Sequence, residues 1–372
     1  MLATSSYPLH PDDSAAAAGL FVCDFAAEMV RQGHSVRVLT QAREGPIDDD
    51  PSFEVTRYAW RGNQSLSTLR PTRPRDLRAI ASVVTSGIRA LDRALTERPA
   101  DLVLAFWAVP AGLLALRARR RFGVPYRVWA LGSDIWSYGR NPVTRWMVRR
   151  VLRGADRCFA DGLELASEVT RLSGCDCAFL PSSRRLPIGL PAPPELEAGR
   201  KNLVFIGRFH ENKGVDLLVE ALGAIPREMR RGLCCFLFGG GPLEQQVADR
   251  LEALALGDSV RALGYASRER VAAFLEHCDA LIIPSRIESI PVVLSDAAQA
   301  GCPIVATDVG DMGRLLERYP AGERVAPEAA SIRDGILRLE ERGRYTEGLA
   351  QLARDFSLEE SVKQALADRT AS

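Results

Sequence analysis

The stretch NLVFIGRFHENKGV, Asn202–Val215, joins a short apolar run to a charged loop that turns through Gly207. The apolar residues predict a buried strand, and the pattern that begins near Val215 predicts a helix. Short apolar runs alternate with longer helical patterns in the same way along the whole chain. This alternation is typical of parallel sheets covered by helices, so we expect an α/β fold.

A proline-rich segment divides the chain. With 372 residues, 47% of them hydrophobic, the chain is long enough for two cores. Residues 186–200 are rich in proline, which predicts a linker between an N-terminal domain, 1–185, and a C-terminal domain, 201–350. The last segment, 351–372, has an amphipathic pattern that predicts a C-terminal helix, which can dock back on the N-terminal domain. Two α/β domains would form a ligand cleft at the carboxyl ends of their sheets.

Composition excludes several classes of protein. No run approaches the roughly eighteen apolar residues of a transmembrane helix, and the eight cysteines lack the paired spacing of a zinc site. We therefore expect a cytoplasmic protein without a metal or a cofactor. Residues 1–190 contain 26 Arg and no Lys against 19 acidic residues, whereas the remainder is net acidic. A basic half favours an anionic partner or simply solvated arginines, and no nucleic-acid-binding motif accompanies it.

Two cations mark the loop that follows the quoted strand. Arg208 and Lys213 lie between a strand end and a helix start, where phosphate groups bind readily. The chain has only three lysines, Lys201, Lys213 and Lys363, so an ammonium at this turn favours a phosphate ligand. A charged surface loop without a ligand is the alternative.

A glycine turn follows a later strand. Gly239–Gly241 ends an apolar run, and its lack of side chains lets a ligand approach the backbone. A tight turn is the simpler explanation. Glu244 stands where the dinucleotide-binding fingerprint has its third glycine, which argues against a dehydrogenase.

The segment Ile283–Asp296, IPSRIESIPVVLSD, places two carboxylates around the start of one helix. Pro291 suits a first helical turn, so Glu288 lies in the preceding loop and Asp296 lies about one turn inside the helix. A loop carboxylate accepts hydrogen bonds from sugar or ribose hydroxyls. Helix capping is the alternative.

These motifs stand together in a recognisable order: Gly207-Arg208-Phe209, Lys213-Gly214, the Gly239–Gly241 turn, Glu288-x7-Asp296 and Ala300–Thr307, preceded by Ser5–Pro8, Gly19 and Met29–Thr40. In order and spacing they resemble retaining glycosyltransferase family 4. That family has the GT-B fold, in which two Rossmann-like domains face a cleft. The resemblance covers nearly the whole chain.

The resemblance implies a metal-independent enzyme of glycan biosynthesis that transfers a sugar from a nucleotide-diphosphate sugar with retention of configuration. It implies that Arg208 and Lys213 hold the donor diphosphate and that Glu288 holds the transferred sugar. It places Asp296 at the ribose, and further donor contacts at Gly19, Gly207, Gly239, Gly240, Ser289, Ile290 and Pro291. The acceptor, a glycan, lipid-linked or small-molecule hydroxyl, is not identified.

The chain departs from the family pattern at three places. Asp296 is one methylene shorter than the usual glutamate, and Ser289-Ile290-Pro291 replaces a glycine-rich loop. Leu131-Gly132 stands where the family has His-Gly. Asp134 is the nearest carboxylate to that place, so we predict that it orients or deprotonates the acceptor hydroxyl, with helix capping as the alternative.

A run of arginines follows. Arg145, Arg149 and Arg153 recur at four-residue spacing with Trp146 beside them, which puts the arginines on one helix face. Such a face suits a peripheral contact with anionic lipid on the inner side of a membrane. A solvated basic face is the alternative.

Two other functions fit the same architecture. A hinged binding module would close on a nucleotide or sugar without reacting, and a non-hydrolysing sugar-nucleotide epimerase would isomerise its substrate without an acceptor. Glycosyl transfer is the preferred prediction.

Overall fold

The computed structural model describes residues 1–10, 13, 19–63, 66, 69, 73–136 and 142–367. The chain divides into two compact units: unit 1 contains Met1–Ser182 and Leu358–Ser372, and unit 2 contains Ser183–Ser357. The predicted α/β fold is confirmed, because all paired strands of both sheets are parallel.

Unit 1 is built on a seven-stranded sheet with the order β3-β2-β1-β4-β5-β6-β7. Its strands are β1 (Leu2–Thr4), β2 (Arg37–Gln41), β3 (Glu54–Tyr58), β4 (Val103–Phe106), β5 (Tyr126–Ala130), β6 (Arg157–Ala160) and β7 (Cys177–Phe179). Its helices before Ser182 are α1 (Leu20–Arg31), α2 (Pro74–Glu97), α3 (Ala111–Phe122), α4 (Ser133–Trp136), α5 (Pro142–Gly154) and α6 (Leu163–Ser173). The strand order reverses between β1 and β4, where ligands bind in folds of this kind.

An aromatic cluster fixes α1 on this sheet. Phe21 and Phe25 meet Phe106 and Trp129 edge to face, with ring centroids 5.4 to 5.7 Å apart. All four side chains are buried, and aromatic residues bury more apolar area than any others. The cluster therefore holds the start of α1 beside β4 and β5.

Unit 2 is built on a six-stranded sheet with the order β10-β9-β8-β11-β12-β13. Its strands are β8 (Lys201–Ile206), β9 (Leu233–Phe238), β10 (Val260–Gly264), β11 (Ala280–Ile283), β12 (Ile304–Thr307) and β13 (Gly322–Val325). Its helices are α7 (Val215–Gly223), α8 (Arg227–Arg230), α9 (Glu244–Ala253), α10 (Arg268–His277), α11 (Val292–Gln299), α12 (Met312–Arg318), α13 (Ala329–Arg338) and α14 (Thr346–Asp355). Here the strand order reverses between β8 and β11.

The proline-rich segment lies against unit 2. Residues 186–200 contain no helix or strand, but the amides of Gly189 and Leu190 donate to the Glu276 carboxylate at 2.6 and 2.9 Å. Arg270 pairs with Glu195 at 2.8 Å. These contacts hold the segment on α10.

The chain then returns to unit 1 with its last helix, α15 (Leu358–Leu366). Leu358, Val362 and Ala365 are buried in the same apolar cluster as Phe25 and Met29 of α1. Hence the C-terminal helix completes the core of unit 1. None of the described helices is long and apolar enough to cross a membrane.

Candidate functional site

The loops that follow β8 and β11 meet at the strand reversal of unit 2. The amide of Arg286 donates to the Asn212 carbonyl at 2.8 Å. The Arg286 guanidinium donates to both carboxylate oxygens of Asp216 at 2.8 and 2.6 Å, and to the Glu211 carbonyl at 2.9 Å. This clamp fixes the two loops, and therefore the predicted site residues that they carry, relative to each other.

Lys213 and Glu288 form an ion pair across these loops. The Lys213 side chain is 35% exposed and that of Glu288 is 14% exposed, so solvent reaches the ammonium more readily than the carboxylate. Arg208 is exposed and has no ion-pair partner among the described residues. Two predicted site residues are thus brought into contact, and a further cation lies in the β8 loop with its charge unbalanced.

Close backbone packing explains the glycines around this pair. Gly214 has a φ of +67°, and a Cβ there would lie 1.9 Å from the Pro284 carbonyl oxygen. Gly239 has a φ of +133°, and a Cβ there would lie 1.9 Å from the carbonyl oxygen of Gly207. Both positions require glycine because their loops touch neighbouring loops, so these residues shape the site whether or not a ligand contacts them.

Gly240 links the glycine turn to the β8 loop. Its carbonyl accepts a hydrogen bond from the Phe209 amide at 2.9 Å and one from the Tyr265 hydroxyl at 3.1 Å. His210 caps the short 3₁₀ turn after Phe209, because its Nδ1 accepts from the Asn212 amide at 3.2 Å. These bonds hold the backbone from Gly207 to Lys213 against the turn.

The loop between Glu288 and α11 is also held by packing. Ile290 is buried, and Pro291 precedes α11 with extended backbone angles. Gly310 has a φ of +55°, and a Cβ there would lie 2.1 Å from the Glu288 carbonyl oxygen. Ser289, between Glu288 and Ile290, is half-buried.

Asp296 is completely buried in α11 and faces a residue that the sequence did not single out. Arg184 donates its Nε to both carboxylate oxygens of Asp296 at 3.0 Å and pairs a second nitrogen with Oδ2. Gln299 accepts from the Leu186 amide at 3.2 Å and donates to the Arg184 carbonyl at 2.9 Å. The ribose contact of Asp296 stays a prediction; its observed partner is Arg184.

The sequence does not identify Arg184 as a site residue, because it lies 112 residues from Asp296 and just before the predicted linker, 186–200. The available signal was its position, Ser183-Arg184-Arg185, just before the prolines. An arginine next to a second arginine and beside a linker can pair with many carboxylates, so the sequence could not identify Asp296 as its partner.

In unit 1, Asp134 is also completely buried. Its Oδ2 accepts the Ala108 amide at 2.6 Å and its Oδ1 accepts the Leu131 amide at 3.2 Å. Burial raises the pKa of Asp134 to about 6, against the opposing effect of these amides. The side chain therefore ties the loop after β4 to the loop after β5. Its role toward the acceptor stays a prediction.

Gly19 precedes α1 in unit 1. A Cβ there would lie 2.4 Å from the Ser6 carbonyl oxygen, so glycine is required for α1 to start beside the loop after β1. Of the arginine helix, Arg145, Trp146 and Arg153 are exposed on α5, and Arg149 is half-buried. The described residues contain no group of three or more His, Cys, Asp or Glu side chains placed to hold a metal ion.

Comparisons with known families match both halves of the chain. The glycosyl transferase 4-like domain matches residues 17–178, and glycosyl transferases group 1 matches residues 190–356.

Two relatives of known name align with the chain. It is 25% identical over 384 residues to D-inositol 3-phosphate glycosyltransferase of Gordonia bronchialis. This alignment covers 95% of this chain and 82% of that protein. It is 26% identical over 254 residues to glycogen synthase of Mycobacterium tuberculosis. This alignment covers 64% of this chain and 57% of that protein. The match thus spans little more than half the length of the glycogen synthase.

Solved structures share the fold. Anabaena Alr3699/HepE in complex with UDP-glucose superposes with a TM-score of 0.69 at 17% identity, covering 98% of this chain and 97% of that chain.

Proposed function

Because the chain belongs to the family 4 glycosyltransferases with the GT-B fold, we propose that it transfers a sugar from a nucleoside-diphosphate sugar to an acceptor hydroxyl. The observation that carries this proposal is the pairing of Lys213 with Glu288 at the strand reversal of unit 2, beside Arg208, which has no ion-pair partner in the described chain.

In the proposed donor site, the charged side chains act first in binding the donor and then in the reaction. When the donor binds, its diphosphate takes Lys213 and Arg208 as partners, and the carboxylate of Glu288 accepts hydrogen bonds from hydroxyls of the transferred sugar. As the glycosidic bond breaks, negative charge grows on the leaving diphosphate. Because the loop clamp already fixes the backbone that carries Lys213, its ammonium is positioned to stabilise that charge, which lowers the barrier to reaction.

The stereochemistry and the acceptor side are finer proposals. We infer retention of configuration from the family motifs, with the acceptor entering on the face that the diphosphate leaves and the leaving oxygen helping to take its proton. The acceptor is assigned to unit 1, near Asp134 of α4. The solved relative with UDP-glucose supports a uridine nucleotide as the first donor to test.

The binding module and the epimerase are not favoured, since the two relatives that align with the chain are a D-inositol 3-phosphate glycosyltransferase and a glycogen synthase. Each alternative nevertheless predicts a distinct product. A binding module leaves the donor intact, and an epimerase changes the sugar while the nucleotide stays attached.

The proposal is tested by incubating the protein with UDP- and GDP-sugars, with and without a host extract, followed by mass spectrometry and proton NMR spectroscopy. We expect release of the nucleoside diphosphate together with a new glycoside, and an anomeric proton coupling in the product that matches the donor. An intact donor in every extract contradicts transfer, and an isomerised donor without extract identifies an epimerase.

Metal independence has its own test. Calorimetry of UDP binding in the presence of a chelator is expected to give the same affinity as without it, because the proposed phosphate partners are Arg208 and Lys213. Binding that returns only after magnesium or manganese is added would exclude this arrangement of the diphosphate.

A further inference from the structure

A basic groove runs between α3 and α5 of unit 1. It has a volume of about 650 Å³, and its floor includes Leu116. Six arginines line it: Arg119 and Arg120 from α3, and Arg145, Arg149, Arg150 and Arg153 from α5. We call this surface, together with Trp146, the arginine groove. The α3 arginines and Arg150 extend the set that the sequence placed on one helix face.

Most of these charges are not balanced by the described part of the protein. Arg119 pairs with Asp156, which is the one carboxylate partner of the six arginines among the residues placed by the structure. Arg153 donates to the Ser173 carbonyl at 2.8 Å, and Arg150 lies over the Trp146 ring at 5.6 Å. Neither contact neutralises a guanidinium. Cations gathered in this way repel one another unless an anion occupies the groove.

Apolar side chains accompany the cations at the start of α5. Trp146 is 62% exposed and Val143 is 68% exposed. An exposed tryptophan with arginines around it is the pattern of a surface that rests at the boundary between lipid headgroups and acyl chains. A site for a small soluble anion would not need these two side chains.

The length of the groove also favours many anions over one. The 13 residues of α5 extend over about 20 Å at the helical rise per residue. Arginines along that length suit a row of phosphates, since guanidinium groups bind phosphate oxygens in pairs. We propose that the arginine groove binds the headgroup phosphates of an anionic bilayer and so places unit 1 on a membrane surface.

Vesicle sedimentation tests this site. The full chain is mixed with phosphatidylcholine vesicles, with or without phosphatidylglycerol. Binding is expected only with phosphatidylglycerol, and it should weaken near 1 M salt, where the Debye length falls to about 3 Å. Replacing Arg145 and Arg149 by Gln should weaken binding roughly thirtyfold, because each basic residue at such a surface contributes about 1 kcal/mol.

A matched control separates the groove from general charge. Arg89 and Arg93 of α2 are exposed and have no ion-pair partner among the described residues. Their double replacement by Gln changes the net charge by the same amount outside the groove. It should leave vesicle binding within about twofold of wild type, whereas general electrostatic attraction predicts an equal loss in both variants.

Three results would overturn the proposal: no binding to phosphatidylglycerol vesicles, equal losses in the two double variants, or binding of inorganic pyrophosphate through Arg145 and Arg149 without any binding to vesicles. UDP affinity and circular dichroism of each variant check that unit 2 and the fold are intact. The proposal does not depend on the activity of the donor site.

Discussion

At the scale of single residues, the ion pair of Lys213 and Glu288 gives each side chain a fixed place before any ligand arrives. A paired ammonium loses less conformational entropy on binding a phosphate than a free lysine would, since its orientation is already set. The same pair also reduces the binding free energy of the ligand, because Lys213 must share its charge between Glu288 and the phosphate. The role of the pair is therefore measurable through substitutions on either side.

Lys213→Ala is expected to lower the turnover of the donor about a hundredfold, since a charge-stabilising contact to the leaving group contributes about 3 kcal/mol. The protein should stay folded, because the pair is partly exposed. Release of nucleoside diphosphate measures the effect. Lys363→Ala is the matched control, because Lys363 pairs with Glu359 on the exposed face of α15. Equal turnover in both variants would remove Lys213 from the site.

Asp134 should make stability depend on pH in a defined window. Burial raises its pKa from 3.8 to about 6, so the unfolded chain ionises first as the pH rises. Its contribution to stability is thus fully present below about pH 4 and is lost progressively until about pH 6. Urea unfolding should show the free energy of unfolding of the wild type falling relative to Asp134→Asn across this window, by about 3 kcal/mol at most. A difference that does not change with pH contradicts the buried carboxyl.

The same variant separates anchoring from catalysis. The asparagine that it introduces has one acceptor oxygen, so it can satisfy only one of the amides of Ala108 and Leu131, and some stability should be lost. If Asp134 serves only to hold these loops, transfer per folded molecule should match the wild type. A base at this position predicts slow transfer with unchanged affinity for the donor.

At the scale of elements, α11 connects the donor loop to the chain that enters unit 2. Its first turn follows the loop of Glu288, and its buried face holds Arg184 through Asp296 and the Leu186 backbone through Gln299. Any shift of α11 would therefore move both the loop and the entering segment. The pair of Arg184 and Asp296 is the main fixed point of this arrangement.

Arg184→Met should destabilise unit 2 by about 3 to 5 kcal/mol, because it leaves the Asp296 carboxylate buried without its cation. Adding Asp296→Leu should restore most of that loss, since a buried pair is often replaceable by apolar side chains. Urea unfolding measures both. Arg250→Met breaks the exposed pair with Glu220 and should cost less than about 1 kcal/mol. A small cost for Arg184→Met would show that Asp296 is accessible to another partner.

At the scale of the whole molecule, the sequence predicts the strands and helices, because these depend on the pattern of neighbouring residues. The apolar run that begins at Asn202 is β8 in the structure, and the following Gly207 turn precedes α7, as the pattern required. Contacts between distant segments could not be predicted in the same way. The partner of Asp296 is 112 residues away, and Asp134 of α4 accepts a hydrogen bond from the Ala108 amide, 26 residues earlier in the chain. Charge and spacing identify such residues as candidates, but only packing selects their partners.

The same distinction applies to the C-terminal segment, 351–372: its amphipathic pattern predicts a helix that can dock on the N-terminal domain, but it does not identify the helix on which it packs. In the structure α15 packs on α1, and the Arg127 guanidinium donates to the Ala365 carbonyl at 2.5 Å. Unit 1 therefore depends on residues that are synthesised after the whole of unit 2. This order of synthesis leaves an apolar face of α1 uncovered until α15 has been made.

Ending the chain after Ser357 should accordingly destabilise unit 1 and spare unit 2. The truncation removes Leu358, Val362 and Ala365 from the core around Phe25, a loss of about 3 to 5 kcal/mol at the usual value for buried aliphatic side chains. Hydrogen exchange should show lost protection in α1 and β2 with unchanged protection in β8 and β9. Ending the chain after Ala367 is the control, because it keeps α15 intact, and it should match the wild type. Equal loss of protection in both units would mean that they unfold as a single cooperative body, and unchanged protection in α1 would mean that α15 contributes nothing to its core.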